Sequence, residues 1–389
     1  MKSYRFGDPE GRFIGNTEKY SVYEEVLSAH RNEMHEETYR NLPGEFTFAY
    51  GPATGGLMES VAFDLHTPGE LIKHVRVDPY VKCRKLKVRG LTPQDALLMV
   101  ERINGFHAAS NALAFEMAVE DALDLQVPEE VWYSRLVMLE LERIRSNLEV
   151  VKRLCEPAGF GVPQNQVAYL REKVARIISQ FSGHRYFFSS SFVGGCQVNT
   201  SGIGSMISAV GDEFEKIFND LLQSKIFLNR LQNNGIVNDG DLLGPAARAA
   251  GLNVDARLSE SNIPYGKLGF RPFLFNEPDA FGRFYVRSQE ILASVDMISQ
   301  AIENCGNSMA ADTDGLEGSG AARIESPQGD VFYYVKIREG RIEDIQLSSP
   351  SMLNIEAFRR SMAGNIFTDY HFNWESFGIW ISELAVVMR

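Results

Sequence analysis

No stretch of this 389-residue chain approaches the roughly 18 to 20 uninterrupted apolar residues that a membrane-spanning helix requires. The opening MKSYRFGDPEGRF lacks the apolar segment of a secretory signal, so a cytosolic chain with no direct membrane span is the expectation. Cysteine is scarce: Cys83, Cys155, Cys196 and Cys305 stand apart without any CxxC spacing. That argues against a disulfide scaffold, an intrinsic iron-sulfur cluster or a self-contained thiolate metal site. Positive charge is short as well, with 39 Lys plus Arg against 51 Asp plus Glu, and a formal charge of -12 disfavours nucleic-acid binding by phosphate neutralisation. Nucleotide fingerprints are missing too: Gly202 and Gly204 are followed by Ile207 where a dinucleotide turn needs Gly or Ala, and no GxxxxGK[ST] occurs. What is present, 44% apolar and 11% aromatic residues, is ordinary for a folded protein with a sizeable core.

The length fits two or three units, or one large domain with insertions. Residues 1–45 read as a polar N-terminal extension with a helical stretch near Ser21 to Arg40. Residues 46–90 hold the alternating segments FTFAY, MESVAFDL, LIKHVRV and KCRKLKVRG, separated by Gly-Pro, Pro-Gly and Asp-Pro, and predict a small antiparallel sheet. From Thr92 to about Gln232 the period is helical, with Leu141, Ile144, Leu148 and Val151 along one face of a helix opened after Pro128. Asn233 to Gly282 is irregular and rich in Gly, Pro and Asn; a helix over Arg283 to Glu303 follows, then a hairpin near 331–348 and an aromatic-rich end with a short helix. The expected class is α+β, a mainly helical bundle over 91–389 with a small N-terminal antiparallel sheet and a C-terminal β-hairpin.

Local chemistry is sparse. His30, Glu33 and His35 could be drawn as a metal cluster, but a five-residue spacing keeps the two imidazoles off one helix face, and a solvated face is the simpler reading. The run Lys73, Arg76, Lys82, Arg84, Lys85, Lys87 and Arg89 is either a solvated sheet face or a docking face for an anionic partner. No catalytic triad can be assembled from spacing, because its members meet only in the fold.

Four ordered segments say more. ERINGFHAASNALAFEMAVEDAL (101–123) matches the pattern ERxCGxCxxxHxxAxxxAVE, and SGHRYFFSSSFVGG (182–195) matches GHR…GG. GPAARAAGLNVDAR, PYGKLGF and DAFGRFYVRSQEILAS match GPxxRAxGxxxDxR…PY…DxxxRxxVRxxEixxS. GSGAARIESPQGDVFYYVKIREGRI and SSPSMLN match GxGxGxxEAPRGxxxYxV…PSxxN. In this order, from about residue 46 to the C-terminus, the chain resembles the large subunit of nickel-iron hydrogenases, particularly the membrane-bound energy-converting group. The quinone-site large subunit of respiratory complex I belongs to the same family.

The resemblance implies that family's fold and a subunit that packs on a small iron-sulfur subunit. Family members hold nickel and iron with two CxxC pairs, since soft thiolates suit those metals. Here Asn104 and His107 stand at the first pair, Asn111 at the following His, and Trp380 and Glu383 at the second pair. Gln328 replaces the arginine of Pro-Arg-Gly and Ser348 the basic residue before Pro-Ser. Such a donor set cannot bind a nickel-iron centre, so no metal is expected and hydrogenase activity is excluded. In complex I the neighbouring space takes the quinone headgroup, using a His of a GPHHPS loop and a Tyr beside the first lost Cys. Here that loop reads GPATGG (51–56), and Gly105 occupies the tyrosine position.

The chain thus resembles a third branch of the family, with neither familiar site intact. Two functions are carried forward. In one, it receives electrons from the partner's iron-sulfur cluster and passes them to a quinone-like or other acceptor in the pocket of Asn104, His107, Trp380 and Glu383, with His107 and Glu383 catalytic and His107 as proton donor. In the other, it is a non-catalytic scaffold or coupling subunit with a filled-in pocket. Arg89 and Arg185 fit the partner's iron-sulfur face. The implied partners are the small iron-sulfur subunit and other hydrophilic and membrane subunits, placing the chain at the inner face of the cell membrane. The pocket's two halves must meet in space, and Glu383, if desolvated without a cation, should have a raised pKa.

Overall fold

The computed structural model describes residues 39–53, 56–238, 242–258 and 262–389, together with three short N-terminal strands. Those strands, β1 (Tyr4–Phe6), β2 (Phe13–Asn16) and β3 (Tyr20–Tyr23), form a sheet in the order β1-β3-β2, with β1 parallel to β3. The helix expected from Ser21 therefore does not start there: Tyr-Ser-Val-Tyr favours the extended chain. The rest of that expected helix, up to Thr38, lies outside the described residues, as do His30, Glu33 and His35.

A second sheet, β4 (Phe46–Tyr50), β5 (Ala62–Thr67) and β6 (His74–Asp78), is antiparallel as the alternation predicts. Phe63 pairs with Val77 and Leu65 with Val75, all four buried on one face. That face is covered from the far end of the sequence, because Phe63 sits edge-on to Tyr370 at 5.3 Å and to Trp374 at 5.1 Å. The fourth expected strand does not join this sheet. β7 (Arg84–Leu86) pairs in parallel with β13 (Val386–Met388), and the Arg84 guanidinium bonds the carbonyls of Arg102, Ile103 and Ser382. Part of the basic run thus ties the loop before residue 104 to the C-terminus.

The helical body begins with α1 (Pro93–Val100), opened by Thr92, whose hydroxyl accepts from the Asp95 amide. It continues with α2 (Ala108–Ala122), α3 (Glu129–Cys155) and α4 (Gly161–Ser182). After the short hairpin β8 (Ser191–Phe192) and β9 (Gly195–Cys196) come α5 (Ile203–Gln223), α6 (Lys225–Leu231), α7 (Gly244–Ala249) and α8 (Ala280–Ala301). Helix α3 lies at the centre. Its Ile144, Leu148 and Val151 are buried as their spacing predicts, but so are Arg135, Glu140, Glu142, Arg143 and Arg145, because neighbours enclose it on every side. These charges are matched: Arg143 donates to the carbonyls of Glu325 and Ser326, and Arg248 of α7 pairs with Asp255, Glu290 and Glu325 at 2.7 to 2.9 Å. Deleting one member of such a buried set costs about 3–5 kcal/mol, since its partner is left charged and dry.

The predicted hairpin is present as β11 (Gly329–Arg338) and β12 (Arg341–Ser348), and β10 (Gly318–Ser326) extends it to three antiparallel strands. β10 lies directly on α2: a Cβ at Gly320 would fall 2.2 Å from the Ala122 amide nitrogen, so only glycine allows that approach. Then α9 (Pro350–Met362), α10 (Tyr370–Phe377) and α11 (Ile381–Leu384) lead back to β13.

Candidate functional site

Two short irregular segments form the site, and the fold fixes both. The first, 101–107, links α1 to α2. It is held by Arg84 from one side and by Arg145 of α3 from the other, whose guanidinium donates to the carbonyls of Gly105, Phe106 and Arg185. The second follows α10, which stops at Gly378 in the left-handed region (φ +65°). A Cβ there would lie 2.5 Å from Gln328 Oε1, so glycine lets the chain turn against β11 and present Trp380 and Glu383. Glu59 fixes the outlet, its carboxylate accepting from the amides of Ile381 and Ser382 at 2.6 and 3.0 Å.

The two segments meet. Asn104 Nδ2 donates to Glu383 Oε1 at 2.9 Å, His107 Nδ1 lies 2.5 Å from the same oxygen, and Ser351 Oγ donates to Glu383 Oε2 at 3.1 Å. The other side of the imidazole is bonded as well, with Nε2 3.1 Å from Ser146 Oγ. The Ser351 hydroxyl also accepts from the Trp380 amide. Gln328 accepts from Arg287 at 2.6 Å and reaches Ser146 at 3.5 Å. All of these side chains are buried. Asn111 is not part of the cluster; it bonds the His107 carbonyl and Tyr333.

The raised carboxyl expected at Glu383 is corrected. Burial does push it up, but the His107 charge and the hydrogen bonds from His107, Asn104 and Ser351 together outweigh burial and hold Glu383 below its ordinary value. The expectation assumed no cation beside it, and His107 supplies one. This donor set does not fit a nickel-iron centre. His107 and Glu383 are spent on each other, Asn104 supplies an amide and Trp380 an indole, and no three His, Cys, Asp or Glu come together as a ligand cluster among the described residues.

The sequence profile for the respiratory-chain NADH dehydrogenase 49 Kd subunit matches residues 162–317. The membrane-bound hydrogenase subunit alpha of Pyrococcus furiosus is 25% identical over 352 residues, covering 82% of each chain. An NADH-quinone oxidoreductase subunit of Geobacter sulfurreducens is 24% identical over 365 residues, covering 82% of this chain and 92% of that one. A chain in the solved structure of a membrane-bound sulfane sulfur reductase, an archaeal respiratory membrane complex, superposes with a TM-score of 0.81 at 19% identity, over 89% of this chain and all of that one. The chain is thus similar, over most of its length, to complex I 49 kDa-type and membrane-bound hydrogenase large subunits, and it shares the fold of the sulfane sulfur reductase chain.

Space exists next to the Asn104–His107–Glu383 cluster. A cleft of about 340 Å3 is lined by Gly56, Met58, Arg153, Glu156, His371 and Glu375, among others. Trp380 lies between the cluster and the cleft: its ring is edge-on to His107 at 5.7 Å, and the Arg153 guanidinium lies 5.6 Å from its centre. Phe106 stacks on Trp380 at 4.8 Å, and Tyr186, partly exposed in the Gly-His-Arg segment, meets Phe106 edge-on. An aromatic series thus runs from the surface near Arg185 to Trp380, on which Arg153 of the cleft lies. None of the four pocket residues is among those lining the cleft.

Charge in the cleft is unusual. Glu375 pairs with Arg153 at 2.8 Å, yet burial, the largest influence, pushes its carboxyl up to about 7; Arg153 and Lys152 oppose the rise, and Glu149 and Glu156 add to it. Burial also lowers His371, against the charge of Glu156. His371 Nε2 is 3.0 Å from the Tyr50 hydroxyl. Arg185 forms a two-pronged pair with Glu172, and Arg89 pairs with Asp344, so both guanidiniums are partly neutralised on this chain. Sequence reasoning missed Ser146, Ser351, Arg145 and the whole Tyr50–His371–Glu375 group. For the last, the only signal was an Asp-Tyr-His-Phe-Asn-Trp-Glu stretch, whose i, i+4 His and Glu share a helix face.

Proposed function

We propose that this chain is the large subunit of a complex-I-like, energy-converting membrane oxidoreductase, passing electrons from a partner's iron-sulfur cluster to an acceptor that binds in the cleft beyond Trp380. The likeness supports the setting: relatives carry names of membrane-bound hydrogenase and NADH-quinone oxidoreductase subunits, and the structural neighbour belongs to a respiratory membrane complex. No helix of the described residues is long and apolar enough to cross a membrane, which accords with attachment at the inner face through other subunits. The face of Arg185, Tyr186 and Arg89 receives the small iron-sulfur partner.

The observation that carries the reading is the pairing of a closed polar cluster with an open cleft across one tryptophan. His107 and Glu383 are spent on each other and on Asn104, Ser146 and Ser351, so their part is to hold Trp380 and the two site loops in place. Chemistry that needs room and protons moves to the cleft, which supplies a quinone-like acceptor with both.

The second reading, a scaffold or coupling subunit without chemistry, is favoured by the same closed pocket, which is packed as fully as any core polar cluster. The assembled complex separates the two. With the partner's cluster reduced and excess reductant removed, a short-chain benzoquinone reoxidises it rapidly if the cleft receives electrons. Reoxidation no faster than in a complex lacking this chain establishes the scaffold.

A further inference from the structure

Resting on that reading of the cleft, we infer that Glu375 and His371 are its proton donors, with Tyr50 and Arg153 as the residues that position them. The loop at 51–56 has no histidine, but His371 from α10 packs against its last residue, Gly56, and lines the cleft with it. Gly56 has φ +86°, and a Cβ on it would lie only 3.0 Å from His371 Cε1. The imidazole therefore occupies space that any side chain at 56 would need. Helix α10 offers it from the opposite end of the chain, on the same face as Glu375 one turn further on.

Each donor is held. His371 is bonded through Nε2 to the Tyr50 hydroxyl at 3.0 Å, wedged edge-on between the Tyr50 and Tyr370 rings, and its Nδ1 has no hydrogen-bond partner among the described residues. Glu375 is held by Arg153 from α3. The charged and titratable groups around the pair are Lys152, Arg153, Glu149 and Glu156 from α3 and its end, Arg171 of α4 on Glu149, and Tyr50 from β4. Lys152 and Arg171 are both taken by Glu149, which leaves Arg153 as the cation on Glu375 beside Glu156, and burial removes the solvent that would otherwise stabilise their negative charges. One carboxyl in this group therefore keeps its proton near neutrality, and Glu375, the buried one lining the cleft, is that group.

The reaction balances with an acceptor carrying two conjugated carbonyls. Two electrons arrive singly from the partner's iron-sulfur cluster, which is oxidised at each transfer. One carbonyl oxygen takes the Glu375 proton and the other takes a proton from the His371–Tyr50 pair, so the dione becomes a diol. Solvent at the open side then reprotonates Glu375 and His371. A cleft with a carboxylic acid, a positioned imidazole and one apolar wall from Leu57, Met58 and Pro157 suits a ring of that kind better than a highly charged acceptor.

The test uses the intact complex, its cluster reduced and excess reductant removed, mixed with a short-chain benzoquinone while cluster reoxidation is followed optically from about pH 5.5 to 9. The wild-type rate should fall above about pH 7 as Glu375 loses its proton. Glu375→Gln should lower the maximal rate roughly 100-fold and remove that fall, and His371→Gln should lower it about 10-fold, with half-saturating quinone within about twofold of wild type in both. Glu375→Asp should restore much of the rate and the pH dependence. Variants with full cluster content that keep the wild-type rate and profile overturn the proton assignment and leave the cleft reading standing. A wild-type rate flat across neutral pH also overturns the assignment, whether or not any variant assembles. A wild-type cluster that benzoquinone does not reoxidise overturns both.

Discussion

Glu383→Gln removes one charge from the closed cluster and almost nothing of its shape. Glu383 accepts from His107, Asn104 and Ser351. A glutamine retains one carbonyl acceptor and turns an NH2 toward the remaining donors, so one donor is left unpaired and two bonds lose their charge assistance. Hydrogen bonds to a charged group are worth about 1.5–3 kcal/mol each, and splitting a buried pair costs about 3–5 kcal/mol. The imidazole keeps its bond to Ser146 in the variant, which places the net loss near the lower end, about 3 kcal/mol. At about 2 °C per kcal/mol for a chain of this size, thermal unfolding at neutral pH should shift down by about 6 °C. The sign of the pH dependence follows from Glu383 being held below its ordinary value. Its contribution is complete above the unfolded carboxylate range near about pH 4.3 and is lost as pH falls through the lower folded value. The gap between wild type and Glu383→Gln should therefore close in acid. A Tm within about 1 °C of wild type at neutral pH, or a gap that widens in acid, refutes the reasoning.

Other consequences are as direct. Elemental analysis of the pure chain should find nickel far below one atom per chain, and near-stoichiometric nickel contradicts the donor argument. Arg185→Ala should lower the reduction potential of the partner's cluster, because positive charge beside a cluster favours the reduced state; an unchanged potential counts against that docking face. Gly320→Val should destabilise the chain by about 3 kcal/mol or more, as severe overpacking does, since its Cβ would meet the Ala122 nitrogen at 2.2 Å. A wild-type unfolding temperature from that variant removes the close packing of β10 on α2.

The class, the helical body and the hairpin were legible in the sequence because periodicity reports burial on one face; alternation holds from Val335 to Leu347, whereas Val331 to Val335 are buried on both faces. β7 was misplaced because its partner, Val386–Met388, lies some 300 residues away, and no local pattern specifies a parallel pairing of that kind. The meeting of Asn104 and His107 with Trp380 and Glu383 followed from the family motif alone. Their charge state did not, since it depends on which groups face Glu383 across the fold. The cleft was invisible for the same reason: Tyr50 and His371 are 321 positions apart, and a glycine at 56 becomes informative only once the imidazole beside it is seen.

The claim that matters most is where the acceptor sits. A photoreactive short-chain quinone, irradiated in the intact complex and mapped by peptide mass spectrometry, should label residues around Gly56–Met58, Lys152–Pro157 or His371–Glu375, with excess unlabelled quinone suppressing it. Labelling confined to the peptides of Asn104–His107 and Trp380–Glu383, or confined to other subunits, contradicts the account.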